Sequence, residues 1–254
     1  MKKINLAVAS TAAILSLCLA VVLPACKKSH SAPDVPETAQ VTTVNAAPKV
    51  PYLDVYVNGR KSGDRVAYLD EPGVAAPSVY VNDTLSSGFL DLKLTDSTSK
   101  SIAEGDILVQ AQKNYSLIVY DTLSGAVKKT RTLLLTDDLS LPGTGKVKVR
   151  FLNLSPTAPA VDIDLIAGSD SIRLASAVAY AGASPNAEAL SVFSPIKSGT
   201  YQMKVKTKSG TQSLLLLSIP SVGLSDNKIY TVYLKGLKSQ GTKYRSSVQV
   251  IQNK

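Results

Sequence analysis

The feature that most constrains this chain is that it repeats itself. Val41-Thr-Thr-Val-Asn45-Ala-Ala-Pro48-Lys-Val-Pro51-Tyr-Leu-Asp54-Val-Tyr-Val57 lies over Val149-Arg-Phe-Leu-Asn153-Leu-Ser-Pro156-Thr-Ala-Pro159-Ala-Val-Asp162-Ile-Asp-Leu165 without a gap. Asn, Pro, Pro and Asp recur in register, and the apolar positions between them match. Further on, Ser87-Gly88 with Leu90, Leu92 and Leu94 parallels Ser198-Gly199 with Tyr201, Met203 and Val205. Tyr115-Ser-Leu-Ile-Val then parallels Tyr230-Thr-Val-Tyr-Leu. Matches in one order indicate a duplicated unit, and each copy of roughly 100 residues has the size of a small sandwich domain. The stretch Ser140-Leu-Pro142-Gly143-Thr-Gly145 reads as the joint, which predicts modules over 41–142 and 143–254.

Within each copy the apolar period is two. In Thr200-Tyr-Gln-Met-Lys-Val-Lys-Thr-Lys208, Tyr201, Met203 and Val205 face one way and Lys204, Lys206 and Lys208 the other. A slip of one residue would bury the lysines, so the register is set by what the core admits. Leu214 to Ile219 reads as the hairpin partner of this strand. Further strands are expected at 52–58, 77–82, 89–95, 115–120, 130–135, 147–154, 160–167, 229–235 and 244–251, separated by turn signals such as Glu71-Pro72-Gly73 and Asn82-Asp83. No stretch after the amino-terminal region shows an amphipathic helix. The expected fold is all-β, with two tandem immunoglobulin-like antiparallel β-sandwiches.

The amino-terminal region follows another pattern. Lys2 and Lys3 precede an uncharged apolar stretch from Leu6 to Leu23, diluted by Ser10, Thr11 and Ser16 and closed by Leu23-Pro24-Ala25-Cys26. The stretch nears membrane-spanning length, but its closure resembles the lipobox of bacterial lipoproteins, where the signal is removed and the cysteine is acylated. The expectation is a signal peptide over 1–25, a lipid anchor on Cys26 and a polar, proline-bearing tether over 26–40. The other cysteine, Cys18, lies inside the signal. The mature chain would then hold a single cysteine and no internal disulfide, and lipidation explains it. Two acyl chains anchor stably where one is marginal. Lys27-Lys28 after Cys26 argues against inner-membrane retention, which gives an outer-membrane location with its facing open. Lys2 and Lys3 account for two units of the formal net charge of +9, leaving +7 on the mature chain. The basic residues are scattered and not interleaved with aromatics, so no nucleic-acid partner is expected.

Val149-Arg-Phe-Leu-Asn153-Leu-Ser-Pro156-Thr-Ala-Pro159-Ala-Val-Asp162-Ile163, Ser198-Gly199-Thr200-Tyr201 and Tyr230-Thr231-Val232 together resemble domain-of-unknown-function family 4397. Its members typically open with an Asn- or His-containing strand followed by Ser-Pro-x-Ala-Pro-x-Val-Asp-Val. The resemblance covers most of 147–250 and is weaker over 41–140, where Ala47-Pro48-Lys49-Val50-Pro51 replaces the Ser-Pro-x-Ala-Pro form. It implies exported immunoglobulin-like modules, often in anchored envelope proteins, with no established activity.

Most chemistry is disfavoured by what the chain lacks. A serine hydrolase needs a base beside its nucleophile, and the single histidine, His30, sits in the tether. Zinc needs Cys or His ligands, which the folded part lacks. Pro142-Gly143-Thr144-Gly145-Lys146 lacks the first glycine and the final Ser or Thr of a phosphate loop. Calcium has candidate oxygen ligands in Asp162 and Asp164 on one strand face, in Asp54, Tyr56 and Asn58 on the matching face, and in Asp137-Asp138 beside the joint. These are read first as the solvated face of an edge strand, where charge discourages unwanted pairing. No cofactor, metal or catalytic residue is assigned, and the chain is expected not to be an enzyme. The leading expectation is a membrane-anchored binding or structural module of the envelope, with a protein or glycan ligand. The alternative is a carbohydrate-binding accessory lipoprotein of a glycan-uptake or adhesion system. With no Trp in the chain, it would use tyrosines, densest at Tyr52, Tyr56, Tyr68 and Tyr80.

Overall fold

The computed structural model describes residues 37–48, 50–68, 80–122, 129–209, 212–238 and 244–254. The predicted signal, Cys26 and His30, and the turn Glu71-Pro72-Gly73 lie outside the described residues. Strands occupy most of what is described: β1 (Thr38–Asn45), β2 (Tyr52–Val57), β3 (Arg60–Ala67), β4 (Tyr80–Ser86), β5 (Gly88–Asp96), β6 (Ser101–Val109), β7 (Asn114–Thr122) and β8 (Lys129–Asp137) in the first half. The second half holds β9 (Lys146–Asn153), β10 (Val161–Ala167), β11 (Asp170–Val178), a five-residue helix α1 (Ala187–Ser191), β12 (Ser194–Lys197), β13 (Gly199–Ser209), β14 (Gln212–Leu224), β15 (Ile229–Lys235) and β16 (Ser247–Gln252). The fold is all-β, as the period of two requires.

The strands form four four-stranded sheets, ordered β3-β2-β5-β6 and β4-β1-β7-β8 in the first half and β11-β10-β13-β14 and β12-β9-β15-β16 in the second. Adding eight to each strand number of the first pair gives the second pair, so the duplication extends to topology. Register repeats too. β1 runs parallel to β7 with Asn45 opposite Val119, and β9 runs parallel to β15 with Asn153 opposite Leu234. Each pair of sheets encloses an aliphatic core. One core contains Leu53, Val55, Leu92, Leu94, Leu117 and Val119, and the other Ile163, Leu165, Met203, Val205, Val232 and Leu234.

The repeated polar residues explain themselves. The buried Asn45 amide donates to the carbonyls of Val50 (2.8 Å) and Val66 (3.2 Å), and its oxygen accepts from the Ala47 amide (3.1 Å). Asn153 does the same with Pro159, Val178 and Ser155. Each asparagine pins the crossover from one sheet to the other, where the chain leaves its ladder and its backbone groups would otherwise be orphaned. The repeated tyrosines also match. Tyr115 Oη accepts from the Gln110 amide at 3.0 Å and Tyr230 Oη from the Ser225 amide at 3.2 Å, five residues upstream in both cases.

Several expectations need correction. β1 begins at Thr38 and pairs with Ser86, so the fold reaches into the segment assigned to the tether. Asn82-Asp83 is not a turn. It lies within β4, opposite Thr42 and Val41, and Thr42 Oγ1 donates to Asn82 Oδ1 at 2.6 Å. On an edge strand such polar side chains find partners across the ladder, which overrides their turn preference.

The two sandwiches do not hang in series. Residues 36–254 form one compact unit, because the outer faces of sheets β4-β1-β7-β8 and β12-β9-β15-β16 pack on each other. Val44, Ile118, Tyr120, Leu133 and Leu135 meet Leu152, Leu154, Tyr233 and Ile251 in a third apolar core. At one end of this seam Arg150, 2 % exposed, donates to Asp137 (2.7 Å), Ser116 (2.7 Å) and Thr231 (3.0 Å). Toward the other end the buried Lys235 donates to the Tyr68 carbonyl and lies 4.0 Å from the centre of the Tyr68 ring.

Two expected outcomes follow from these contacts. Asn153→Ala orphans two carbonyls and an amide in the crossover and should cost about 2–4 kcal/mol at roughly 1–3 kcal/mol per buried unsatisfied group, read by denaturant unfolding. Asp137→Ala leaves the Arg150 charge buried without its partner and should cost about 3–5 kcal/mol. Pairing it with Arg150→Met should restore most of that loss, and a double variant as unstable as the single one would show that the ion pair does not hold the seam.

Candidate binding surface

With Asn and Tyr of the repeat committed to the fold, the third repeated polar residue, Asp54/Asp162, is the next to place. Both aspartates face away from their cores, on β2 and β10. These are interior strands of their sheets, so the expectation of an edge strand is corrected. Asp54 pairs with Lys61 at 3.0 Å. Asp162 pairs with Arg173 at 3.1 Å and accepts from Ser176 Oγ (3.1 Å) and the Ala177 amide (2.7 Å). Asp164 is held by Arg173 and, at 2.8 Å, by Lys206. The sheet surface thus neutralises its own carboxylates.

The titration of Asp162 and Asp164 reflects that. The Ala177 amide is the main cause holding the Asp162 carboxyl below the usual range, with burial opposing it and Ser176 and Arg173 adding to it. For Asp164 burial pushes upward, and the hydrogen bonds and charges of Lys206 and Arg173 outweigh it, so this carboxyl also sits low. Asp137 is taken by Arg150, and Asp138 is lowered chiefly by its hydrogen bond to Lys148 at 2.8 Å. Among the described residues no group of three or more His, Cys, Asp or Glu side chains gathers as metal ligands would.

Beside the Arg150 network lies an open groove of about 790 Å³, lined by Lys113, Asn114, Asp138, Val192, Phe193 and Lys254 among others. The Phe193 ring covers Arg150, with the guanidinium carbon 4.4 Å from the ring centre. Asp137, paired with Arg150, and Phe193 thus both line the groove, and Ser140 of its wall accepts from Lys148 Nζ at 2.7 Å.

If repeated residues serve the fold, residues that differ between the copies are where a surface can specialise. The outer face of sheet β3-β2-β5-β6 is one such surface. Its cross-strand rows read Lys61–Tyr56–Lys93–Glu104 and then Asp91–Asp106, followed by Phe89–Leu108. Lys93 and Glu104 pair at 3.3 Å. Asn58 Oδ1 accepts from the Asp91 amide at 2.9 Å. Phe89 is 79 % exposed and Leu108 opposite it 48 %. In the second copy Tyr56 is replaced by Asp164 and Phe89 by Thr200, and the apolar row is gone. The Asn58-Gly59 turn that closes this face has positive φ at both residues (50° and 72°), the hairpin geometry that glycine and asparagine tolerate best.

The predicted tyrosines divide. Tyr52 and Tyr56 are half-buried on this outer face. They stand four residues apart on one strand, about 13 Å, too far to stack as a pair. Tyr68 is buried at the seam and meets Tyr244 edge-on. The Tyr80 side chain lies outside the described residues. Phe89 was not anticipated. Its signal was an aromatic at the polar phase of the alternation Phe89-Leu90-Asp91-Leu92-Lys93-Leu94.

A family model described as Domain of unknown function (DUF4397) matches residues 39–164. The chain carries a DUF4397 domain. The match opens in β1 and ends in β10, so it spans the first copy and the opening of the second, including both Asn-to-Asp segments. The resemblance read from the sequence is stronger in the second copy, whereas the matched span lies mainly on the first. No curated protein matches the chain. Among solved structures, a family CBM26 module of Eubacterium rectale Amy13K in complex with maltoheptaose aligns at 10% identity and TM-score 0.24, covering 85% of this chain and 97% of that one. A candidate cell adhesion protein from Bacteroides fragilis aligns at 9% identity and TM-score 0.24, with the same coverage of 85% and 97%. A fimbrial assembly protein from Parabacteroides distasonis aligns at 8% identity and TM-score 0.21, covering 85% of this chain and 98% of that one. Likeness at these scores decides nothing about this chain.

The lowered carboxylates predict a pH dependence. A carboxyl with a folded pKa below its unfolded value of about 3.9 stabilises the fold above that value and loses this contribution as pH falls through the folded pKa. Asp162→Asn with Asp164→Asn should therefore lower the melting temperature at pH 7 and flatten its decline between about pH 5 and pH 2. Parallel declines in variant and wild type would show that these two groups do not carry the acid sensitivity.

Proposed function

We propose that this chain is a non-enzymatic protein of the bacterial envelope, lipidated on Cys26 and held at the outer membrane, whose fused double sandwich presents a binding face on its first copy. In this reading residues 1–25 are the export signal, a tether from Cys26 leads to the fold, and the joint near 142–143 separates two modules of common ancestry. The observation that carries the binding role is the exposed Phe89–Leu108 row beside hydrogen-bonding and charged side chains. A large apolar pair held on rigid strands is the kind of anchor that dominates interfaces. The third core supports a structural role as well, because it holds the face rigidly on the second sandwich.

The finer reading, a carbohydrate ligand, is favoured by Tyr56 standing between Lys61 and Lys93 on the same face, with Asp91, Glu104 and Asp106 able to accept hydroxyl hydrogen bonds. Flat sheet faces with an aromatic and flanking polar groups suit a sugar chain.

The test has two arms. In cells, Cys26→Ala should move the protein from the membrane to the soluble fraction, and a variant that stays membrane-bound sinks the anchor. In vitro, the wild type and Phe89→Ala are compared on a panel of polysaccharides and on detergent-solubilised envelope proteins. Phe89→Ala should leave stability within about 0.5 kcal/mol and weaken binding by about 2 kcal/mol, roughly 30-fold. Retention of polysaccharide by the wild type supports the sugar reading, and unchanged binding by Phe89→Ala removes this face from the function.

A further inference from the structure

Eight strands form the edges of the four sheets, and one of them is unlike the rest. Edge strands carry a row of unpaired backbone groups, and proteins guard them with charges, proline or short length. β3, β4, β6, β8, β11 and β12 each contain at least one charged residue. β16 has none but spans only six residues. β14 is 13 residues long, Gln-Ser-Leu-Leu-Leu-Leu-Ser-Ile-Pro-Ser-Val-Gly-Leu, with no charge along its length. Leu214 and Leu215 are 47 % and 58 % exposed. Pro220 interrupts the donor row only at the far part of the strand.

Its sequence is also self-complementary. Ser213-Leu214-Leu215-Leu216-Leu217-Ser218 reads the same in both directions. In a regular strand, positions five apart face opposite sides of the sheet, which would spoil a two-fold pairing of this segment. The β-bulge removes that obstacle. Ser213 pairs with Lys208 and Ser218 with Lys204, while Leu214 pairs with Thr207 and Leu217 with Val205, the register shifting between Val205 and Lys206. Lys204 and Lys208 share the outer face of β13, and Val205 and Thr207 share its buried face. Ser213 and Ser218 therefore lie on one face and Leu214 and Leu217 on the other. The inserted residue at Leu216 restores the symmetry that the sequence shows.

We propose that β14 pairs antiparallel with β14 of a second copy of this chain, joining two sheets into one of eight strands. In this register Ser213 stands opposite Ser218 of the second copy and Leu214 opposite Leu217, an isologous contact of the kind that closes a two-fold dimer. Charge permits it on a basic chain. The nearest lysine rows, on the two β13 strands, would be three strand spacings apart, about 14 Å, beyond the screening length of about 8 Å at physiological salt.

The test uses the full chain in its native membrane, in two differently tagged forms carrying Ser213→Cys and Ser218→Cys. Directly opposed residues have Cα atoms about 4.5–5.5 Å apart, within disulfide reach, whereas two copies of Ser213 would be about 16 Å apart. Mild oxidation of cells making both forms should give a mixed-tag dimer, at least ten times more than either form alone. Adding Leu215→Lys to both should reduce that dimer at least tenfold with no change in melting temperature, since Leu215 is on the exposed side. A mixed dimer no stronger than that of the single forms overturns the proposal. So does cross-linking of β14 to a different protein, or a mixed dimer that survives Leu215→Lys.

Discussion

The packing of one sheet on another across the middle of this protein sets the terms for everything else in it. β7, β9 and β15 are buried on both faces, each giving alternate side chains to its own sandwich and to the seam. Ser116, Ile118 and Tyr120 of β7 face the seam while Tyr115, Leu117 and Val119 face the first core. The seam is apolar at its centre and therefore gains from leaving water, but apolar contact alone does not fix how two flat sheets lie on each other. Directional groups do that. Arg150 reaches a carboxylate and a hydroxyl of the first sandwich and a hydroxyl of its own, and Lys235 caps a carbonyl of the first from the second. Burial lowers the pKa of the Arg150 guanidinium and Asp137 works against that shift, so each charge needs the other. The cost of taking two charges out of water offsets much of their attraction, so removing one partner destabilises more than replacing both.

Duplication offers a way to separate fold from function on this chain. Asn45 and Asn153 satisfy equivalent backbone groups, Tyr115 and Tyr230 accept equivalent amides, and Asp54 and Asp162 pair with a basic residue of the adjoining strand. What recurs is what two copies of one topology both need. Candidate function lies in what has diverged, the Phe89–Leu108 row of the first copy and the uncharged β14 of the second. Each lies on an outer sheet, away from the seam, where substitution costs the fold little.

Five of the described aspartates are engaged by basic side chains. Asp54, Asp137, Asp138, Asp162 and Asp164 each have a cationic partner within hydrogen-bond or ion-pair distance, and carboxylates so engaged are committed to the fold. A surface that recognises a partner needs no perturbed acid. It needs shape, an apolar anchor and rigidity, which the proposed face would draw from the Phe89–Leu108 row and the sheet that carries it.

The period of two, the gap-free match of Asn, Pro, Pro and Asp, and the alternation around Lys204, Lys206 and Lys208 were sufficient for an all-β chain of two similar halves, because side chains alternate across a strand and a row of lysines without partners is costly to bury. Leu117-Ile118-Val119-Tyr120 and Val232-Tyr233-Leu234 are covered on both faces, which the sequence reading, with one core face per strand, did not include. That Asp54 and Asp162 sit on interior strands, that Asn82-Asp83 lies within a ladder, and that Arg150 is buried rather than solvated were decided only when strands distant in sequence came together. Local pattern determines which face of a strand turns inward. Which strand lies beside it, and whether a second sheet closes over the other face, depends on contacts between residues as far apart as Tyr68 and Lys235, and only the folded chain brings those together.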